Sequence, residues 1–325
     1  MMTDTWTWAT VTQATPLRIK VDGDTSALDA TTDNLVGSLA VDDRVRVHLH
    51  SDGIIVTGLQ GGGNRSNPNL LINSDFMVNQ RDAVSGASLT SGAYFLDRWK
   101  NVGNFTTSEI TWADSGGLRT LTIGAGGTLQ YVGQVVEQRN VPAGTYTMSW
   151  GGAVQGRIYK SGTTAPALAS SPITVTLDGL ADANVDLAGG GETVPWVKLE
   201  QGPVATPYQP PTYADNLRAC MFYYQRFGAF STADAYGLGF AYSTTQASIL
   251  FFPAVPMRIG SPTLTYNALR LLDGVAAFTV TAMILQAGGA AAMTLTVTSS
   301  GMTQFRPCRL ASSATSAYIA LDAEL

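Results

Sequence analysis

Three consecutive glycines followed by small polar residues interrupt this chain at Gly61-Gly-Gly-Asn-Arg-Ser-Asn-Pro68. Such a segment cannot bury enough apolar surface to fold, and linkers of this composition behave as flexible coils. We therefore predict a linker over residues 61–68, after an N-terminal domain of residues 1–60. Four prolines from Pro203 to Pro211 predict a second, stiffer linker between a domain of residues 69–207 and one of residues 208–325.

The composition predicts that these domains are built mainly from β-strands. The chain has 34 glycines, and Thr, Ala and Ser are frequent, whereas only four residues are Lys and five are Glu. Helical proteins favour Lys, Glu and Leu, while strands and tight turns favour Thr, Val, aromatic residues and Gly.

Residues 1–60 contain short segments in which apolar and polar residues alternate, which is the period of a strand. These segments are Trp6–Thr12, Leu17–Val21, Arg44–His50 and Ile54–Gly58. Turn signals at Asp22-Gly23 and Asp52-Gly53 lie between them. About five short strands in this length predict an OB-like small barrel.

Strand patterns separated by Gly-rich turns predict a central β-sandwich, or jelly roll, over residues 69–207. Its predicted strands are Thr106–Thr111, Arg119–Ile123, Thr145–Trp150, Ile173–Leu177 and Pro195–Leu199. In residues 208–325, apolar residues at helical spacing predict a helix over Asp215–Gln225. Later patterns predict a C-terminal β-sandwich head with strands at Ile249–Phe252, Thr263–Tyr266, Ala277–Ala282, Met293–Val297 and Ala317–Leu321.

The charge content limits the classes of partner. Charged residues make up only 13% of the chain, and large apolar surfaces usually mark subunit interfaces, so we expect an oligomer. The net charge of -5 and the lack of basic runs argue against nucleic-acid binding. No apolar run reaches the ~18–20 residues that span a bilayer, so no membrane insertion is predicted. Met1–Trp6 contains no basic leader or apolar signal segment, so we expect synthesis in a cytoplasm without a cleavable signal.

Seven segments follow one another along residues 69–325: Asn69–Phe76, Asn79–Arg81, Asp97–Trp99, Trp196–Pro207, Cys220–Arg226, Phe251–Arg258 together with Ser261–Thr263, and Asp322–Leu325. As a set they resemble the distal tail proteins of bacteriophages, which include tail fibres and receptor-binding proteins. The resemblance implies an OB-like connector, a carbohydrate-module-like jelly roll and a trimeric C-terminal head of residues 208–325 that forms the receptor-binding tip. It also implies a homotrimer in the virion tail, assembled in the host cytoplasm, that contacts other tail or baseplate proteins through residues 1–60 and binds bacterial cell-surface polysaccharide.

No arrangement in the sequence indicates catalysis or a cofactor. It contains no nucleophile elbow, phosphate-binding loop or zinc-type Cys/His cluster. A glycosidase needs two carboxylates in a cleft, and the pattern singles out no pair among the 19 aspartates. We therefore expect neither an enzyme nor a cofactor. Cys220 and Cys308 are too few for a disulfide framework and are predicted to be small buried apolar residues.

The only two histidines, His48 and His50, share one face of a predicted strand. Three copies around a trimer axis could offer six imidazoles to an octahedral metal ion. Arg46 lies on the same face, however, and its positive charge disfavours a metal there. We therefore favour an exposed polar strand face over a metal site.

Carbohydrate-binding sandwiches stack aromatic rings on the apolar faces of sugars, and nearby polar side chains bond the hydroxyl groups. Trp99, Trp150 and Trp196 lie in strand patterns and are predicted to belong to the core. Aromatic residues beside turns or glutamines, and in loops of the head, are better candidates for exposure. The candidate carbohydrate-binding residues are Trp112, Gln130, Tyr131, Gln134, Tyr236 and Tyr242.

Together these features predict a tail fibre or receptor-binding protein that attaches a virion to a bacterial surface glycan. One alternative is a baseplate or tail-tip component without its own receptor contact. A third, less favoured, is an enzyme that degrades cell-wall polysaccharide. Jelly rolls in tails also serve as spacers, so the sequence alone leaves these alternatives open.

Overall fold

The computed structural model describes residues 5–14, 17–27, 32–34, 44–50, 53–59, 67–103, 110–124 and 129–325. Strands make up 49% of the structure and helix 4%, which confirms the mainly β fold predicted from the sequence. The chain divides into two compact units, one of Met1–Pro68 with Thr206–Gln209 and one of Asn69–Ala205 with Pro210–Leu325. Residues 61–66 of the predicted linker lie outside the described residues.

The first unit contains a five-stranded sheet with its own small core. Its strands are β1 (Thr5–Ala14), β2 (Leu17–Val21), β3 (Thr32–Asn34), β4 (Arg44–His50) and β5 (Gly53–Leu59), in the order β2-β1-β4-β5-β3. β3 runs parallel to β5, and the other neighbours are antiparallel. Along β4, Val45 and Val47 are buried and Arg46 is exposed, because successive side chains of a strand point to opposite faces.

The second unit begins with a β-sandwich. Its elements are β6 (Tyr94–Leu96), β7 (Trp99–Asn101), β8 (Ile110–Ser115), β9 (Leu118–Ile123), β10 (Gln130–Val136), a 3-10 helix (Gln138–Asn140), β11 (Gly144–Trp150), β12 (Gln155–Lys160), β13 (Ile173–Leu177), β14 (Ala183–Gly189), β15 (Glu192–Val194) and β16 (Val197–Gln201). They form one five-stranded sheet, β12-β14-β10-β7-β6, and two three-stranded sheets, β13-β11-β16 and β15-β9-β8. As predicted, Trp99 and Trp150 lie in the core between the sheets, whereas Trp196 is only partly buried.

A second sandwich, the head, completes this unit. Its elements are α1 (Tyr213–Met221), β17 (Tyr224–Gly228), β18 (Ala235–Ala241), β19 (Gln246–Phe251), β20 (Thr263–Asn267), β21 (Leu269–Leu272), β22 (Ala277–Thr279), β23 (Ala282–Gly289), β24 (Ala292–Thr298), β25 (Pro307–Ser312) and β26 (Tyr318–Asp322). A three-stranded sheet, β17-β26-β20, and a seven-stranded sheet, β22-β21-β25-β18-β19-β24-β23, enclose its core.

Several predicted elements differ from the structure, among them the strand predicted over Ala277–Ala282, which is divided between β22 and β23. The helix begins two residues earlier than predicted, because Thr212 caps it by accepting a hydrogen bond from the backbone N–H of Asp215 at 3.2 Å. It also ends at Met221, because Tyr224 starts a strand that pairs with β26. The strand predicted over Thr106–Thr111 is β8, which begins at Ile110; residues 104–109 lie outside the described part of the chain.

Two arginines of the first sandwich pair with two carboxylates at the end of the head. Arg98 pairs with Glu324, and both side chains are almost fully buried. Arg81 donates to Asp322 at 2.9 Å and to Glu324 at 3.3 Å. Removing one partner from a buried pair costs about 3–5 kcal/mol, because the other charge is left without compensation.

The same two arginines lie over aromatic rings of the head. The guanidinium carbon of Arg98 is 3.6 Å from the ring centre of Tyr223, and that of Arg81 is 3.8 Å from the ring centre of Tyr224. Such contacts between cations and aromatic faces are strongest where water is excluded. We refer to this set as the Arg98–Glu324 clamp, which comprises Arg81, Arg98, Tyr223, Tyr224, Asp322 and Glu324.

Asn73 forms a second link between the sandwich and the head. Its backbone N–H donates to the side-chain oxygen of Asn216, on α1, at 2.8 Å. Its side chain accepts from the N–H of Val78 and donates to the carbonyl groups of Val78 and Asp97, each at 2.9 Å. Asn73 and the clamp together draw on five of the seven segments that carry the resemblance. Those segments therefore hold two sandwiches together in this structure.

Candidate carbohydrate-binding face

The five-stranded sheet of the first sandwich has one face in the core and one face outside it. On its central strands, Val132 and Val185 belong to the core. Because side chains alternate along a strand, their neighbours point to the other side. We call that side the Tyr131 face; its polar and aromatic residues are Lys100, Tyr131, Arg157, Tyr159, Asn184 and Asp186.

The strand register places four of the face residues in one row. Lys100 lies opposite Gly133, Gly133 opposite Asp186, and Asp186 opposite Arg157. Neighbouring strands are about 4.8 Å apart, so the row spans roughly 14 Å.

The packing around position 133 requires a glycine. A Cβ atom built on it would lie 2.6 Å from Cγ2 of Val102 and 2.9 Å from Oδ1 of Asp186. Real Cβ contacts are not this short, so a larger residue would displace one of these neighbours. Because Gly133 has no side chain, the carboxylate of Asp186 can lie close to the Gly133 backbone.

Asp186 fixes the aromatic part of the face. Its side chain is almost fully buried and accepts from Nε of Arg157 at 2.8 Å and from the hydroxyl of Tyr159 at 3.1 Å. Burial, together with the neighbouring Asp186 carboxylate, raises the pKa of Tyr159. The Tyr159 hydroxyl therefore stays protonated at neutral pH and remains a donor.

Arg157 lies close to two tyrosine rings. Its guanidinium carbon is 5.2 Å from the ring centre of Tyr131 and 5.6 Å from that of Tyr159. The hydrogen bond to Asp186 holds the guanidinium group in place, so the two partly exposed rings are held against a fixed planar group. Planar groups of this kind can stack on the apolar face of a pyranose, because they offer area at little cost in side-chain entropy.

The rim of the face carries polar groups that suit hydroxyl ligands. Asn184 is partly exposed, and its amide donates to Oγ of Ser161 at 3.2 Å. Lys100 donates to the carbonyl of Leu325 at 3.0 Å. Burial, and then the charge of Arg98, lower the pKa of Lys100. Because Arg157 is paired with Asp186, Lys100 carries the remaining charge among these residues of the face.

The structure separates the candidate residues that the sequence suggested. Tyr131 is on the face, but Gln134 points into the sandwich, where its amide bonds both backbone groups of Ile72 at 2.8 and 2.9 Å. The expectation that Gln134 would bond a ligand is therefore wrong, because its polar atoms are already used inside the protein. Gln130 is buried as well and cannot reach a sugar on the surface.

Trp112 lies on a different sheet, β15-β9-β8, and is only partly exposed. Its ring stacks on that of Phe95 at 6.3 Å, and the guanidinium carbon of Arg119 is 5.5 Å from it. It packs against the sandwich core, so its main contacts are structural.

The two head candidates are also engaged within the protein. The hydroxyl of Tyr236 donates to the carbonyl of Ala317 at 3.3 Å, and that of Tyr242 donates to Oε1 of Gln246 at 2.9 Å. Neither lies on the sheet that carries Tyr131. The six candidates therefore do not form a common site.

The sequence analysis missed Arg157, Tyr159, Asn184 and Asp186. The signal was present in Gln155–Lys160 and in Ala183–Gly189, where polar and aromatic residues alternate with core residues. The sequence does not show that these two strands pair with each other, and this pairing brings the alternate positions to one face.

Other expectations about the chemistry can be placed in the structure. His48 is partly exposed on β4, while the side chain of His50 lies outside the described part of the structure. Among the described residues, no group of three or more His, Cys, Asp or Glu side chains is arranged to bind a metal ion. Cys220 and Cys308 are buried free thiols, which confirms the expectation for both. No helix in the described ranges combines the length and apolarity required to cross a bilayer.

Comparisons with known proteins add little to this picture. No protein-family model matches the sequence, and no curated protein matches it significantly. Two solved structures of discoidin II from Dictyostelium discoideum give weak matches. The recombinant protein is 8% identical, with 76% of this chain and 93% of that chain covered, at a TM-score of 0.16. The wild-type protein is 9% identical, with 79% and 92% covered, at a TM-score of 0.15. These scores are too low to support an argument about fold or function.

Proposed function

We propose that this chain is an adhesive structural protein of a bacteriophage tail, and that it attaches the virion to a bacterial surface glycan through the Tyr131 face. The observation that carries the proposal is the arrangement of Tyr131, Arg157 and Tyr159, held in place by the buried carboxylate of Asp186. The seven tail-protein-like segments support the assignment to a tail.

The chemistry of the face suits a hydroxyl-rich saccharide. Two tyrosine rings provide apolar stacking area, and Asn184 provides an amide at the edge. The charge of Arg157 is balanced within the face by Asp186. An anionic polymer would gain little from this pair, whereas the hydroxyl groups of a sugar can bond the amide while its ring stacks.

A baseplate or tail-tip component without receptor contact is the second candidate. The observation that favours it is that Arg98 and Glu324, which lie in the segments that resemble tail proteins, form a clamp inside the protein. Such residues would be needed for architecture whether or not the protein binds a sugar. An enzyme that degrades polysaccharide is the third candidate, and release of reducing sugar would identify it.

The test is binding of the full chain to an array of bacterial surface polysaccharides. Tyr131→Ala should weaken binding about 5- to 150-fold, if a stacked ring contributes ~1–3 kcal/mol as it does for bases on aromatic side chains. Tyr213→Ala is the matched control, because Tyr213 is an exposed tyrosine on α1. It should leave binding unchanged.

Three other results would count against the proposal. Wild-type binding by Tyr131→Ala would place the glycan site elsewhere. No glycan binding by the wild-type chain would favour the baseplate function. Release of reducing sugar from a bound polysaccharide would show an enzyme.

A further inference from the structure

The seven-stranded sheet of the head has apolar side chains on both of its faces. Its inner face contributes Ile249, Phe251 and Leu295 to the core. On its outer face, five large apolar side chains are exposed: Leu238 (68%), Phe240 (48%), Leu250 (47%), Phe252 (61%) and Ile284 (60%). A sheet with one face in water normally shows polar residues there, so this outer face has the composition of a covered surface.

Four of the five exposed residues adjoin one another on β18 and at the end of β19, and Ile284 lies two strands farther along the sheet. Leu238 on β18 lies directly opposite Leu250 on β19, and Phe240 follows two positions after Leu238 on the same face. Phe252 follows Leu250 in the same way. In the row of Phe240, the strand register continues through Ser248 and Thr296 to Ile284 on β23. We call these five apolar residues the head patch.

Charge is nearly absent from this face. The seven strands contain two charged residues, Arg270 and Arg309, and no acidic residue. The guanidinium group of Arg270 bonds the carbonyl of Thr232 in the same chain. Arg309 is exposed directly opposite Leu238, so the face carries one cation beside a largely apolar surface. A suitable partner must therefore be mainly apolar and must leave this charge in water or pair with it.

The area of the head patch is comparable to the apolar part of an ordinary interface. Aromatic side chains bury about 150–250 Å² each, so the exposed parts of Phe240 and Phe252 amount to roughly 200 Å². With its three aliphatic residues the patch reaches on the order of 500 Å², near the upper end for a monomer. A standard interface buries about 800 Å² per partner, somewhat more than half of it apolar.

The same face also offers a concavity. A cleft of about 710 Å³ opens beside Leu238, and its lining includes Leu272, Val275, Pro307 and Arg309. Protruding rings and a cleft therefore lie on one surface of one chain. A surface that carries both can pair with another copy of itself, because each copy brings the projection and the recess.

We propose that the head patch and this cleft are the surface through which copies of this chain associate. The proposal does not depend on glycan binding. It specifies which surface of residues 208–325 forms the interface of the expected homotrimer. Association would remove the apolar area from water, which favours it through the hydrophobic effect. It would also place several copies of the Tyr131 face on one particle, which raises avidity for a repeating polymer.

The test is the molar mass of the full chain, measured by light scattering after size exclusion over a concentration series. The wild-type chain should be an oligomer at micromolar concentration. The double variant Phe240→Ser with Leu250→Ser should dissociate to monomer or need at least a tenfold higher concentration to associate. Leu180→Ser is the matched control, because Leu180 is an equally exposed leucine (72%) on the first sandwich. It should associate as the wild type does.

Because both substituted side chains are already exposed in the monomer, the double variant is expected to fold, and circular dichroism checks this. If it does not fold, Leu250→Thr alone serves as the second variant, since Thr suits a strand and removes one apolar contact. A wild-type chain that stays monomeric, whether or not it binds detergent or another tail protein, overturns the proposal. So does a folded variant that keeps the wild-type molar mass.

The oligomer and the glycan site can fail independently. Calorimetric titration with a short oligosaccharide measures one site at a time, so a dissociated variant should keep wild-type affinity in that assay. Loss of binding only to multivalent surfaces would then report on association and not on the Tyr131 face.

Discussion

Arg98 and Glu324 form a buried ion pair although 226 residues separate them in the sequence. Arg98 adds a hydrogen bond to the carbonyl of Val135 at 2.5 Å, and its guanidinium group lies over the ring of Tyr223. The pair therefore connects the last residues of the head to the middle of the first sandwich. Two sandwiches that could have been independent modules are held as one unit.

Glu324→Gln should lower the free energy of unfolding by about 3–5 kcal/mol, because Arg98 would remain buried without its compensating charge. The control is Asp178→Asn, which breaks the more exposed pair of Lys160 and Asp178. Its cost should be much smaller, because water screens an exposed ion pair. Urea unfolding of both variants gives the comparison.

A double variant sharpens this prediction. Arg98→Met combined with Glu324→Leu removes both charges, and apolar replacements of a buried pair are often neutral. Its free energy of unfolding should be closer to the wild-type value than that of Glu324→Gln. If Glu324→Gln costs no more than the Asp178 control, the clamp does not hold the sandwiches together energetically.

Gly133→Ala should destabilise the protein by about 1–3 kcal/mol and weaken glycan binding, because the new Cβ would push Val102 or Asp186 out of place. Gly228→Ala is the matched control: it also lies in a strand, and a Cβ there meets nothing within 4 Å. Thermal unfolding and polysaccharide binding of both variants measure the two effects. Equal stability of the two variants would show that the space at Gly133 is not required.

The loop that begins at Phe230 should depend on pH through Asp234. Its carboxylate accepts hydrogen bonds from the hydroxyl and the N–H of Ser231 and from the N–H of Phe230, and these bonds hold its pKa below the usual value. Since the folded pKa is lower than the unfolded one, the contribution to stability is present above about pH 3.9 and is lost as the pH falls through the folded value.

Asp234→Asn removes this titration. The difference in stability between the wild type and this variant should therefore be largest near neutral pH and should shrink in acid. Carbon-detected NMR of the Asp234 carboxylate measures its pKa directly. A value at or above that of an unfolded chain would contradict the proposed hydrogen bonding.

Alternation along the chain was sufficient to predict much of the local structure. The segments Leu17–Val21 and Arg44–His50 form strands with the predicted bounds. They could be predicted because apolar residues at alternate positions of a strand mark its buried face. Tyr131 could be identified as a candidate because it is an aromatic residue close to Gln130 and Gln134. The mainly β class followed from composition, because few residues of this chain favour helices.

Tertiary structure decided what these strands do together. Arg157, Asp186 and Tyr131 belong to three strands, and only their register brings them to one face. The helix ends at Met221 because the residues after it pair with a strand about a hundred positions later. Asn73 and Glu324 act through contacts more than a hundred residues away. A sequence pattern shows which face of an element is apolar. The partner of that face is set by the packing of distant segments. The energy of that packing is a property of all the segments together, so no single segment reveals it.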